Sequence, residues 1–178
     1  MHHDEQWQLF NDNGEPKVGE WRSAENGNPK TGDQDIVGGA VIYLFRENDK
    51  DGTELLWQQR SEKLSDFPGK WDVSAGGHVN LGETFADAAV REACEEIGIE
   101  ISVDDLILVA FRRSHNIINF IYLVDWTGKG EDFKFDDGEV AGVKWVPLSE
   151  MDEFRKQFAK SVVAEDDASF ISIRKWFE

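Results

Sequence analysis

The order of apolar runs along this chain predicts a layered α/β or α+β domain, and three observations carry that prediction. Short β-branched and aromatic runs, bounded by clusters of Asn, Asp and Gly, mark strands on both sides of a central segment. That central segment has helical spacing and a glycine stop. Two more helix candidates close the chain. At 178 residues, one domain with short terminal decorations accounts for the length.

Residues 1–35 are polar and turn-rich, with Asn-Gly and Glu-Pro punctuation. Trp7, Leu9 and Phe10, then a turn, then Val18 and Trp21 suit either a small hairpin or a loose arm. The domain proper is expected over 36–178. Within it "IVGGAVIYLFRE" (36–47) reads as a strand, "NDKDGTE" as a turn and "ELLWQQR" (54–60) as the next strand. "KWDVSAGGHV" (70–79) is a shorter strand ending in glycines. A helix is predicted from Thr84 to Ile97, with Thr84 as N-cap, Asp87 three residues on and Gly98 as the stop. Strands follow at 106–114 and 119–127, joined by a His115–Asn116 turn, and at 142–148, ended by Pro147. Helices are expected at 149–161 and 165–177.

The composition is 40% hydrophobic and 12% aromatic, with seven Trp and twelve Phe, which is enough apolar material for a core. The net charge of −17 argues against a nucleic-acid polymer or an anionic membrane as partner. It also repels bare polyphosphate unless cations stand between protein and ligand. With Cys94 as the single cysteine, there is no intrachain disulfide and no Cys-rich zinc site. That usage and the lack of a signal peptide suit the cytoplasm. No apolar run reaches the ~18 residues of a membrane span. His2 and His3 carry no functional reading.

"REACEEIG" concentrates Glu92, Glu95 and Glu96 beside Arg91. At about 100° per residue, with Glu92 at zero, Glu95 lies at about 300° and Glu96 at about 40°, so the three acids share one stripe. Ala86, Val90, Ala93 and Ile97 cluster at about 100–160° and are the expected buried face. Cys94 is expected to pack beside that face as a small hydrophobe. Like charges at i,i+3 and i,i+4 repel, and the last helical turn disfavours them further. A solvated acidic face is one reading of the stripe. The other is a site for hard divalent cations, which take oxygen ligands.

The neighbourhood favours the second reading. Residues 77–99 read G-x5-E-x7-R-E-U-x-E-E-x-G-U, with U aliphatic, through Gly77, Glu83, Arg91, Glu92, Ala93, Glu95, Glu96, Gly98 and Ile99. Ala93 is small for its slot. This resembles the Nudix hydrolase family, over about an eighth of the chain. The segments "LLWQQRS", "FPGKWDVSAGGHV" and "EVAGVKWVPLSEM" are also similar in order to that family's flanks.

The resemblance implies an α/β fold: a Nudix-type α/β/α sandwich with a mixed central sheet. It implies metal-dependent cleavage of a phosphoanhydride bond in a nucleoside diphosphate derivative or another organic diphosphate, with Mg²⁺ or Mn²⁺ as cofactor. By position, Glu92, Glu95 and Glu96 hold the metals, Glu83 and the Gly77 carbonyl support them, and Arg91 orients a carboxylate. The metals then meet the phosphates in place of the acidic surface. A carboxylate serves as base for the attacking water. One of the helix glutamates is a candidate, and Glu139 in "FKFDDGEVAG" is favoured over its neighbours Asp136 and Asp137. A homodimer through the N-terminal arm is a further expectation by analogy.

Residues 55–79 look like the subgroup related to isopentenyl-diphosphate isomerases. Arg60, Lys63 and Lys70 are then candidates for phosphate contact, with His78 as an exposed rim residue or else a secondary ligand or phosphate contact. An isomerase needs a cysteine just before that histidine. Here Ser74, Ala75, Gly76 and Gly77 stand there instead, which argues for hydrolysis. A non-catalytic binding domain of the same fold is a third possibility. Trp57 and Trp71 are candidates for base stacking, with core packing the better expectation. Of Arg112 and Arg113, one at most faces the pocket, since neighbours on a strand point to opposite faces. Arg112 is the substrate-side candidate, with His115 nearby.

Overall fold

The computed structural model describes residues 5–23, 35–114, 116–136, 138–157 and 167–178. His115 and Asp137 lie outside them, as do His2 and His3. In chain order the elements are β1 (Gln6–Phe10), β2 (Pro16–Ser23), β3 (Ile36–Asn48), β4 (Gly52–Arg60), β5 (Trp71–Asp72), β6 (Ala75–His78) and α1 (Phe85–Ile97). Then come β7 (Ile107–Arg113), β8 (Ile117–Asp125), β9 (Val140–Pro147), α2 (Met151–Gln157) and α3 (Asp167–Phe177).

Strand β3 is the hub. It runs parallel to β8 along one edge, while β1, β6 and β4 pair antiparallel with successive parts of the other. Its uninterrupted apolar run follows from having both faces covered. Ala40, Ile42 and Leu44 pack with Ala88, Ala89, Ala93 and Ile97 of α1. Tyr43 and Phe45 pack with Met151, Phe154, Phe170 and Ile173 of α2 and α3. The result is the α/β/α sandwich with a mixed sheet. Trp57 is a core residue, fully buried and stacked on Phe170 at 5.6 Å between ring centroids. Trp71 packs edge-on against Phe154.

Strands β3 and β4 pair near the turn and then part, and β5 and β6 fill the gap. Ser74 ties the split together. Its hydroxyl accepts from the Leu44 N–H at 2.8 Å and donates to the Leu56 carbonyl at 2.6 Å. This inserted pair of short strands carries Gly76 and Gly77 under α1. The helix itself starts on a reciprocal Thr84–Asp87 capping box and ends on Gly98 at φ 67°, as its sequence predicts.

The face that α1 buries differs from the expected one. Ala88, Ala89, Ala93, Glu96 and Ile97 are buried, so the arc centres at about 50° and takes in Glu92 and Glu96, with Glu95 just outside it. Ala86 and Val90 are only half-buried, and Cys94 is exposed rather than packed in the core. Hydrophobic patterning weights Val90 above Ala88 and Ala89, yet small side chains mark where a helix backbone can approach a sheet most closely. Of the two helices expected at 149–161 and 165–177, the described parts are α2 (Met151–Gln157) and α3 (Asp167–Phe177), and residues 158–166 lie outside the described residues. Residues 5–23 form the β1–β2 hairpin, whose first strand joins β3 in the sheet. No helix among the described residues is long and apolar enough to cross a membrane.

Candidate active site

Arg91 gathers the acids. Its Nε and Nη2 fork onto Glu83 at 2.8 and 3.2 Å, and Nη1 donates to Glu92 at 2.7 Å and Glu95 at 3.0 Å. Nη2 also donates to the His78 carbonyl at 2.8 Å. These five contacts match the five N–H groups of a guanidinium. The Asn80 N–H holds the second Glu83 oxygen at 2.9 Å. Burial works against the Arg91 charge, but the Glu83 and Glu92 carboxylates outweigh it and raise its pKa.

Glu96 lies deeper. It is 6% exposed, and its Oε2 accepts from the Gly76 N–H at 2.8 Å and from Gln58 Nε2 at 3.1 Å. Burial first, then the Glu92 charge, pushes its carboxyl well above the ordinary range, with the Gly76 and Gln58 donors opposing. Glu92 is pushed up to about 7, mainly by burial, with Glu95 and Glu5 adding and Arg91 opposing. Carboxylates made this reluctant to ionise call for positive charge.

Gly77 leaves room that the Glu92 carboxylate fills. A Cβ there would stand 2.1 Å from Glu92 Oε1. Gly76 is the tighter of the two, because the atom 2.7 Å from its would-be Cβ is backbone, the Ala40 carbonyl. His78 does not sit at an open rim. Its ring stacks on Trp7 of β1 at 3.5 Å and 8°, and burial lowers its pKa to about 4, which leaves it neutral. Sequence reasoning did not place Trp7 at the site, because the contact joins segments 71 positions apart.

Across the sheet, Arg112 registers with Asn119, Asn119 with Gly39, and Gly39 with His78. The four therefore share one face, away from α1, over roughly 14 Å. Arg113, on the other face, pairs with Asp12 of the β1–β2 turn. Arg60 and Lys70 are held locally. Arg60 lies 3.5 Å from Asp72, and the Lys70 ammonium sits 4.9 Å from the centre of the Phe67 ring. Lys63 and Asp136 are exposed. Glu139 is half-buried just before β9, with its carbonyl accepting from the Ser61 N–H at 2.7 Å.

The residues suit a hard divalent cation. Glu83, Glu92, Glu95 and Glu96 offer oxygen donors only, the chemistry that Mg²⁺ and Mn²⁺ take. The buried Gln58 Oε1, beside Glu96, has no hydrogen-bond partner among the described residues. As the side chains stand, no three His, Cys, Asp or Glu among the described residues enclose an ion, because the Arg91 guanidinium lies among Glu83, Glu92 and Glu95.

Known proteins share both sequence and fold with this chain. It is similar to Nudix hydrolase 3 of Arabidopsis thaliana, 32% identical over 125 residues, which cover 64% of this chain and 16% of that protein. An uncharacterized Nudix hydrolase of Clostridium acetobutylicum is 30% identical over 121 residues, or 64% of this chain and 58% of that protein. The chain thus spans less than two thirds of these relatives' lengths. The crystal structure of DR0079 from Deinococcus radiodurans aligns with a TM-score of 0.66 at 23% identity, over 96% of this chain and 98% of that one. An Ap4A hydrolase of C. elegans aligns at 0.57 and 22%, over 80% and 98%. The sequence profile of the NUDIX domain matches residues 36–166, and the chain belongs to that family.

Proposed function

We propose that this chain is a divalent-metal-dependent pyrophosphohydrolase. Its substrate would be a nucleoside diphosphate derivative or another organic diphosphate, cleaved at a phosphoanhydride bond. The observation that carries the reading is the burial of Glu92 and Glu96. A solvated charged face would point outward, whereas Glu92 and Glu96 point inward beside Gly76 and Gly77, where a Cβ would meet the Ala40 carbonyl and the Glu92 carboxylate respectively. The relatives' names support hydrolysis, and two structural neighbours concern ligands with phosphoanhydride bonds, an Ap4A hydrolase and a NUDIX domain complexed with ADP ribose.

Glu83, Glu92, Glu95, Glu96 and the Gly77 carbonyl would hold Mg²⁺ or Mn²⁺. The ion's part is to neutralise phosphate charge and to acidify the attacking water. Arg91 sets the directions of Glu83, Glu92 and Glu95. A helix glutamate takes the proton from the attacking water, with Glu139 as the rival base. Arg112, His78 and Asn119 bind the part of the substrate beyond the diphosphate, and Arg60 and Lys70 bind phosphate oxygens. A homodimer through the N-terminal arm belongs to the same proposal and is read by sedimentation.

The test is phosphate release from a panel of nucleotide and non-nucleotide diphosphates with Mg²⁺ or Mn²⁺, with isopentenyl diphosphate included. Turnover abolished by EDTA is expected for some of them. Isomerised isopentenyl diphosphate, or binding without any turnover, would overturn the hydrolase.

Gly77→Ala probes the cradle by itself, since Gly77 needs no positive φ. The added methyl displaces the end of the Glu92 side chain rather than any backbone. Mn²⁺ affinity is expected to fall about tenfold with little change in Tm. An unchanged Mn²⁺ titration would take Gly77 out of the site.

A further inference from the structure

Gln58 lies two residues after Leu56 on β4, where alternation places a side chain toward α1, yet it is a carboxamide only 2% exposed. Its Nε2 donates to Glu96 Oε2 at 3.1 Å, the same oxygen that takes the Gly76 N–H at 2.8 Å. Its own Oε1 is buried and unpartnered among the described residues. A buried acceptor without a donor is a standing penalty on the folded state. Methionine would fill nearly the same volume without it. The fold alone gives no reason for an amide here.

The Glu96 contacts supply one. Two donors converge on Oε2, and no hydrogen bond among the described residues reaches Oε1. The carboxylate is gripped by one oxygen and presents the other. With Glu96 ionised, only the observed amide orientation attracts, because the reverse would set two oxygens against each other.

We propose that Gln58 is a positioning residue for the divalent-cation site. Together with the Gly76 amide it clamps Glu96, so that the second carboxylate oxygen is aimed at the ion. The inference rests on the hydrolase reading above and adds to it a group from outside the helix motif. It also explains the unpartnered Oε1: the amide is kept for its nitrogen, and the stranded oxygen comes with it.

The experiment is Mn²⁺ titration by EPR on the full chain, with Gln58→Met, Glu96→Gln and the double variant beside the wild type. Gln58→Leu serves as a second probe if the methionine variant folds poorly. Melting in EDTA is followed in parallel. Gln58→Met is expected to weaken Mn²⁺ binding by about 10–100-fold, with Tm in EDTA equal to or above the wild type. In the Glu96→Gln background it should change affinity by less than about twofold, since the clamp then has nothing to aim. A merely structural hydrogen bond would behave the other way: lower Tm, with affinity unchanged or changed additively. Wild-type Mn²⁺ affinity in Gln58→Met, with Glu96→Gln weakened, overturns the role of Gln58 and leaves the metal reading intact. Wild-type affinity in both variants removes the metal reading itself.

Discussion

Glu96→Gln is expected to lower turnover by about 10²–10⁴-fold while leaving the metal-free protein at least as stable as the wild type. The geometry decides both halves. Glu96 Oε2 faces two donors, the Gly76 N–H and Gln58 Nε2. In the variant only the carbonyl oxygen of the new amide can sit between them, which forces its NH₂ group to the other side. A donor with no lone pair then stands where the proposed site needs an oxygen. The change is nearly isosteric, so core packing is preserved. Burial is also the main reason the Glu96 carboxyl resists ionisation, and the amide removes that ionisable group. Steady-state turnover and calorimetry in EDTA read the two effects. Turnover within about threefold of the wild type would exclude Glu96 from the chemistry.

The acid stripe was legible because glutamates at i, i+3 and i+4 share a helix face, whatever the tertiary structure. The caps of α1 were legible for the same local reason, since Thr84, Asp87 and Gly98 act on their own backbone neighbours. What the stripe faces was not legible. Ala88 and Ala89 look unremarkable in a hydrophobic pattern, yet their small size lets the helix settle on β6, and that turned Glu96 inward and Cys94 outward. Gln58 and Trp7 were missed because their partners lie 38 and 71 positions away. For Gln58 a signal existed: an amide at a strand position whose alternation after Leu56 called for an apolar side chain. For Trp7 none did, since a tryptophan in that turn-rich segment reads only as part of a hairpin or a loose arm. Arg60 and Lys70 were phosphate candidates through the resemblance of residues 55–79, and the sequence did not show that Asp72 and the Phe67 ring stand beside them.

Arg91→Met is expected to cost the metal-free protein about 3 kcal/mol at mildly alkaline pH. Each N–H of the guanidinium has an acceptor, and Glu83, Glu92 and Arg91 itself are 22%, 12% and 20% exposed, so water cannot fully replace the contacts. Glu95, at 36%, is wetter and adds little. The pH dependence follows from Glu92, whose folded pKa of about 7 lies above its ordinary value. A carboxyl raised in this way contributes most to stability at low pH, where it is protonated in both states, and that contribution is lost as pH rises through the folded pKa. Arg91 pulls the Glu92 pKa down. Its removal lifts that pKa further, so the Glu92 share of the extra loss develops as pH climbs past about 7 and vanishes below it. Saturating Mn²⁺ should return part of the lost Tm, because a bound cation supplies the positive charge that the substituted side chain lacks. Melting curves across pH, in EDTA and in Mn²⁺, test all three statements. A variant as stable as the wild type above neutral pH, or a loss independent of pH, would mean the guanidinium is not what holds these carboxylates together.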